Sequence, residues 1–242
     1  MPTVAISVDC EAANDGRAYT KEIIRVAEEF TVPLTWLIFV SEKDPLSNLD
    51  LYRNEFLHRI PSWHEIGLLV KFENHAGYIA DPHDRGDVIR MAKDAVKSRH
   101  IKPTAFRAHG LDLLPEDLKV LEDIGILVDS SSCPGAKDKF GVVHAEGPHE
   151  PYHPSYSDTN AVGDAKIIVS PITTHKGVAA YLDQGWEKVR PVMEHSLARN
   201  AITHLALTDT MDDAETLHKA LAYAKEAGAT FITLTQIASA AG

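Results

Sequence analysis

Apolar residues along this chain come in short unbroken runs, and between the runs they recur every three or four positions. The runs are Val4–Val8, Leu34–Val40, Ile66–Val70, Thr104–Arg107, Ile126–Asp129, Ile167–Val169, His204–Thr208 and Thr230–Leu234, each of strand length. The intervening segments read as helices. Ile23, Ile24, Ala27 and Phe30 form one apolar stripe, with Thr20 placed to cap it. Pro115 suits the first turn of a helix carrying Leu118, Leu121 and Ile124, and Gly125 stops that helix. Asp212 with Glu215 reads as a capping box for the helix carrying Leu217, Leu221 and Ala224, which ends at Gly228. Strands alternating with helices predict an α/β fold of parallel strands joined by crossovers. Seven or eight strands favour an irregular (β/α) barrel over an open sheet. The expected organisation is one domain over residues 1–242. Residues 134–165, rich in Pro, Gly, His and Ser, read as a long loop excursion within it.

Composition narrows the partners. The 242 residues are 44% apolar and 24% charged, enough to bury a sizeable core. A net charge of −11 argues against nucleic acid or an anionic membrane surface as the main partner. No apolar window approaches the roughly 20 residues a membrane span requires. Met1-Pro2-Thr3 leads directly into the first strand without the features of a secretory signal. The two cysteines, Cys10 and Cys133, offer no disulfide framework. Together these predict a cytoplasmic protein, with a small molecule or oligosaccharide as its partner and an oligomeric state left open.

Candidate chemistry gathers where the strands end, the face on which barrels of this class carry their sites. The first strand closes Asp9-Cys10-Glu11, and residues two apart on an extended chain share a face, so the two acids converge on one spot. Carboxylates that close either share a proton or hold a cation. Glu73 and His75 follow the third strand and have the donor types of hard or borderline metal ligands. The fourth strand gives Arg107-Ala108-His109-Gly110, with an Arg suited to orienting a buried carboxylate. Asp129 closes the fifth strand and Asp209 the seventh. His58, His100, His195 and His218 fall in helical patterns and read as surface residues, while His144, His149 and His153 read as a solvated part of the excursion. Cys10 points away from its acidic neighbours and reads as core.

In this order the fragments resemble the NodB-homology domain of the polysaccharide deacetylases, carbohydrate esterase family 4, over nearly the whole chain. Ser7-Val8-Asp9-Cys10-Glu11 is similar to the first family motif, Thr35-Trp36-Leu37-Ile38-Phe39-Val40 to a family strand, His64-Glu65-Ile66-Gly67 to the lead-in of the second motif, and Phe106-Arg107-Ala108-His109-Gly110 to the third. Asp129-Ser130-Ser131, Pro151-Tyr152-His153-Pro154 and Thr230-Phe231-Ile232-Thr233-Leu234 resemble later segments, Tyr152 lying near the substrate. The resemblance implies a metal-assisted hydrolase that removes an acyl group from a saccharide or saccharide precursor, similar to deacetylases of bacterial surface-polysaccharide (O-antigen) biosynthesis. Asp9 is then the base, with Arg107 aiming it and His109 replacing a missing acid. A divalent metal, zinc by the resemblance, falls to Glu11, Glu73 and His75, and Gly110, Asp129, Tyr152 and Asp209 surround the substrate. An asparagine at position 9 is expected to abolish turnover while sparing the fold.

The departures from the family pattern are specific. Its two histidine ligands fall on Leu69 and Glu73, and its late catalytic histidine falls near Thr208 or Asp209, with His204 four residues too early. The site is therefore rebuilt from Glu73, His75 or His109, or works without tightly bound zinc. Otherwise the domain is a catalytically silent carbohydrate binder, or an amidohydrolase of a non-sugar substrate.

Overall fold

Valine, isoleucine and leucine fill the strands so densely that Val4–Cys10 and Thr35–Val40 are buried at every residue, as parallel strands covered on both faces must be. The computed structural model describes residues 1–11, 19–44, 47, 50, 57–97, 101–210 and 214–241. Its main sheet contains β1 (Thr3–Cys10), β2 (Thr35–Val40), β3 (Glu65–Val70), β4 (Ala105–Ala108), β5 (Val128–Asp129), β6 (Ile168–Val169), β7 (Ile202–Thr208) and β8 (Thr230–Ile232). The spatial order is β6-β5-β4-β3-β2-β1-β7, with β8 also beside β1, and every pairing is parallel. The sheet curls. Between its end strands β6 and β7, Thr173 N–H donates to His204 O (3.0 Å) and Tyr181 bridges to Ala206. The result is an irregular (β/α) barrel with all eight runs in place, although Leu234 opens the last helix instead of ending β8.

Around it pack α1 (Thr20–Phe30), α2 (Pro82–Val96), α3 (Pro115–Asp123), α4 (Trp186–Ala198), α5 (Ala214–Glu226) and α6 (Leu234–Ala241). Thr20 is not the cap of α1: Tyr19 holds that position and Thr20 is the buried first residue of the helix. Gly125 and Gly228 take left-handed φ of 79° and 72° and stop α3 and α5 as expected. Asp212, the expected cap of α5, and His100 lie outside the described residues.

The His64-Glu65-Ile66-Gly67 segment is architectural. His64 Nδ1 accepts from the Leu34 N–H (3.2 Å) and from the Trp36 indole N–H (3.1 Å), fixing the start of β2 to the start of β3. Glu65 accepts from the Thr35 hydroxyl (2.6 Å) and the Thr235 N–H (3.2 Å), and so joins β2 to α6. A Cβ on Gly67 would lie 2.6 Å from the Ala105 carbonyl oxygen, which is why the closest approach of β3 to β4 has no side chain.

The excursion over 134–165 has its own order. Tyr152 forms a bridge with Val169 (N–H to O, 3.1 and 2.8 Å), covering the free edge of β6, and its hydroxyl donates to Thr159 O (2.6 Å). Earlier in the loop, Lys137 pairs with Val143 around a turn that Asp138 closes. The Asp138 carboxylate accepts from the Phe140 and Val142 N–H groups at 2.8 and 2.9 Å, and Gly141 takes φ 82°. That turn aims Lys139 at the barrel.

Two buried N–H donors depend on a neutral His64, and burial pushes its imidazole down to about 4. His64→Ala should cost on the order of 2–4 kcal/mol at neutral pH, from two donors left unsatisfied. A histidine with a depressed folded pKa contributes stability that is complete above its unfolded value of 6.5 and is lost as pH falls toward 4. Urea melts should therefore show the gap between wild type and variant narrowing from pH 7 to pH 4.5. A gap that widens on acidification would refute this role.

Candidate functional site

Strand register brings the polar strand ends together. Asp9 at the end of β1 lies opposite Thr208 of β7, and Leu69 of β3 opposite Arg107 of β4. Asp9, Glu11, Leu69, Arg107, His109, Gly110, Lys139 and Tyr181 line one small depression, in which the remaining space is about 10 Å3, room for one water.

Arg107 is the hub below it. Its Nη1 donates to Asp9 Oδ1 (2.6 Å), its Nη2 to Ser7 Oγ (2.8 Å) and its Nε to Ser130 O (3.2 Å). Ser7 Oγ lies 3.0 Å from His204 Nε2, whose ring Nδ1 is 3.1 Å from Ser170 O. Ser170 O can only accept, so Nδ1 carries the proton and Nε2 accepts from the Ser7 hydroxyl. His204 is thus neutral, and burial with the nearby Arg107 pushes its pKa down to about 3. It braces Arg107 from within the barrel.

Above the hub sits a residue that sequence reasoning missed. Lys139 Nζ donates to Asp9 Oδ2 (2.9 Å) and to Glu11 Oε1 (2.5 Å), with its side chain 13% exposed. A lysine in a Pro- and Gly-rich loop 130 positions from Asp9 gives no periodic or motif signal. Burial alone would raise Asp9, but Arg107 and Lys139 more than reverse that and hold the carboxyl at about 2. Glu11 moves the other way: burial, with Asp9 and Asp183 nearby, outweighs Lys139 and raises it. Burial, Lys139 and Lys71 push His109 down to about 4, so at neutral pH its Nε2 contact with Glu11 (3.4 Å) joins an anion to an uncharged ring.

Of the other expected site residues, Gly110 lines the depression, and the rest are placed elsewhere or act on the backbone. Asp209 Oδ1 accepts from the Glu11 N–H (2.8 Å) and positions that residue. Asp129 accepts from the Ser131 N–H and hydroxyl (2.9 and 2.6 Å) and is pushed up to about 6 by burial, bracing β5. Tyr152 faces the edge of β6. Gly110, with φ 71°, lets the chain turn beside His109. Glu73 accepts from the Ser41 hydroxyl (2.7 Å) and pairs with Lys71 (3.2 Å), and His75 is exposed in the next turn. Glu11, Glu73 and His75 are not brought together, which corrects the expected metal site. Among the described residues, three ligand-type atoms converge within 4.8 Å of one another only at the exposed Asp81, His83 and Asp84. There Asp81 already caps α2, accepting from the His83 and Asp84 N–H groups.

Beside the depression and sharing His109 is a larger groove of about 260 Å3, lined also by Lys43, Lys71, Glu73, Tyr78 and Asp112. Tyr78 is 62% exposed there.

No family model matches the sequence, and no curated protein matches it. Solved structures do. A protein described as a polysaccharide deacetylase from Mycobacterium smegmatis superposes with a TM-score of 0.65 at 16% identity, over 98% of this chain and 89% of that one. This chain has the polysaccharide-deacetylase fold. A family 4 acetyl xylan esterase from Clostridium thermocellum, solved with a cobalt ion, matches with a TM-score of 0.55 at 15% identity, over 98% and 91% of the two chains. A family 4 pseudoenzyme from Bacillus anthracis matches with a TM-score of 0.55 at 12% identity, over 98% of this chain and 66% of that one. Among the described residues, no helix of this deacetylase-fold chain is long and apolar enough to cross a membrane.

With Lys139 in place, the donor set at the mouth does not fit a divalent metal. One carboxylate is bound by a guanidinium, both are bound by an ammonium, and Leu69 stands where the family resemblance places an imidazole. The same contacts make Asp9 part of the scaffold, contrary to the expectation that its amide spares the fold. Asp9→Asn should destabilise the protein by about 3–5 kcal/mol, because Arg107 and Lys139 keep their charge and lose a shared partner. A carboxylate with a depressed folded pKa contributes stability present above 3.8 and lost as pH falls through about 2. The urea midpoint of the variant should therefore be lower at pH 7, with m unchanged, and should converge on wild type toward pH 2. Equal midpoints at pH 7 would exclude the scaffold role.

Proposed function

We propose that this chain binds a saccharide at the C-terminal end of its barrel without metal-assisted removal of an acyl group. The observation that carries the reading is Lys139 Nζ, 2.9 Å from Asp9 and 2.5 Å from Glu11, filling the position a catalytic cation and its water would need. Deacetylation of the kind the resemblance implies requires a base able to take a proton near neutral pH. Asp9, held at about 2 by two cations, is a poor one. It also requires room for an acyl group beside the base, and the depression holds about one water.

The adjoining groove has the features a sugar needs. Tyr78 presents an exposed aromatic face, while Glu73, Asp112, Lys43 and Lys71 offer acceptors and donors within the same concavity. Carbohydrates are bound by aromatic faces packed on C–H surfaces, with charged and amide groups exchanging hydrogen bonds with hydroxyls. An acylated sugar precursor, nucleotide- or lipid-linked, is the ligand class proposed for this groove.

Calorimetric titration with acetylated and deacetylated oligosaccharides and nucleotide sugars, beside an acetate-release assay on the same ligands, tests the reading. Binding without acetate release is expected, and Tyr78→Ala should weaken it roughly fivefold, about 1 kcal/mol. Steady acetate release that disappears in Asp9→Asn would restore the hydrolase. Absence of both binding and release across the panel would remove the saccharide from consideration.

A further inference from the structure

The turn that delivers Lys139 is built for that delivery. Asp138 is itself 5% exposed and spends one carboxylate oxygen on the Phe140 and Val142 N–H groups (2.8 and 2.9 Å) and the other on His144 Nε2 (2.9 Å). The Lys137–Val143 bridge closes the turn behind it. The Lys139 stem runs inward, with its Nζ 5.2 Å from the Phe140 ring centroid, and its ammonium ends between two carboxylates that come from a different part of the chain. Asp9 is fixed from below by Arg107, and the Glu11 backbone N–H is held from behind by Asp209. The Asp9 carboxylate and the Glu11 backbone are thus held by contacts that do not involve Lys139.

We propose that Lys139 is the resident cation of this fold's mouth. Its ammonium occupies a latent divalent-cation site made by Asp9 and Glu11, with His109 Nε2 3.4 Å from Glu11 Oε1 as the nearest imidazole, and excludes metal ions from it. The inference rests on the metal-free reading above but not on any saccharide. Carboxylate oxygens are donors that Mn2+ accepts. A tethered ammonium competes with a free ion at the high effective concentration that its loop confers, so the wild-type site stays closed to millimolar metal. Shortening residue 139 removes both the charge and the stem, leaving a cavity bordered by the Asp9 and Glu11 carboxylates.

Thermal melts and metal content after equilibrium dialysis against Mn2+ provide the test, with no sugar present. Wild type should carry well below one Mn2+ per chain and melt at the same temperature with chelator or with Mn2+. Lys139→Ala should melt on the order of 10 °C lower in chelator. It should recover most of that loss with millimolar Mn2+, taking up about one ion per chain, or with methylammonium, which restores the missing group. Adding Glu11→Gln to Lys139→Ala should abolish the Mn2+ recovery. Lys139→Met fills the space without charge, so it should melt lower and recover with neither cation. Failure of Lys139→Ala to respond to both cations would overturn the proposal. So would one Mn2+ per wild-type chain that Glu11→Gln removes, and that measurement decides the question even if Lys139→Ala does not fold. A null titration with saccharides would leave these outcomes untouched, so the two readings fail separately.

Discussion

The charge balance at the top of the barrel depends on one ammonium. Asp9, Glu11, Asp183 and Asp209 all lie near the ends of β1 and β7, and the low-dielectric wall around them makes every unpaired carboxylate expensive. Arg107 serves Asp9 from below but makes no contact with Glu11. Lys139 completes the set by reaching both acids at once. The opposite displacements of the two carboxyl groups follow from this arrangement: Asp9 has two cations and goes down, while Glu11 shares one cation with two acidic neighbours and goes up. His109, beside the same ammonium, is kept uncharged. In this mouth the resident cation organises ionisation much as a bound metal would, but an ammonium offers hydrogen-bond donors and not the coordination positions of a Lewis acid.

Below the ammonium, a connected string of buried polar groups runs from Ser170 through His204, Ser7 and Arg107 to Asp9. Such a string is stable only if every donor meets an acceptor. Ser170 O forces the His204 tautomer, the tautomer forces Ser7 to donate down to His204 Nε2, and Ser7 then accepts from Arg107. One consequence is that His204, four positions from where the family resemblance expects a catalytic histidine, has a clear structural task. Another is that the guanidinium is held by Ser7 and Ser130 before Asp9 is counted, so the carboxylate is presented in one orientation.

The histidine-glutamate-isoleucine-glycine segment illustrates how a motif can keep its residues while serving architecture. His64 and Glu65 stand at the beginnings of strands, the end of the barrel opposite Asp9, and bond to Leu34, Trp36, Thr35 and Thr235. The positions that would carry metal chemistry come later in the same strand and its exit, where Leu69 lines the depression and Glu73 has turned away toward Ser41 and Lys71. The groove beside His109 is formed in part by that exit.

Local pattern sufficed for the eight strands, the helix stops at Gly125 and Gly228, and the convergence of Asp9, Glu11, Arg107 and His109. Each of those depends on burial periodicity, a left-handed turn, or the rule that parallel strands in one sheet end on one face. The tight approach at Gly67 and the cap at Tyr19 lay beyond it, because they are set by what packs against them. So did the fates of Glu73, His75 and Tyr152, whose donor chemistry says nothing about which neighbour will claim it. The deciding contact was the least legible of all. Lys139 lies 130 positions from Asp9 in a segment without periodicity, and it reaches the acids only because the Asp138 turn, the Lys137–Val143 bridge and the curl of the sheet act together. The sequence by itself determined a deacetylase-type barrel with acids at its mouth. Tertiary structure decided that a lysine neutralises them, since the partner of a buried charge is fixed by where the chain returns in space.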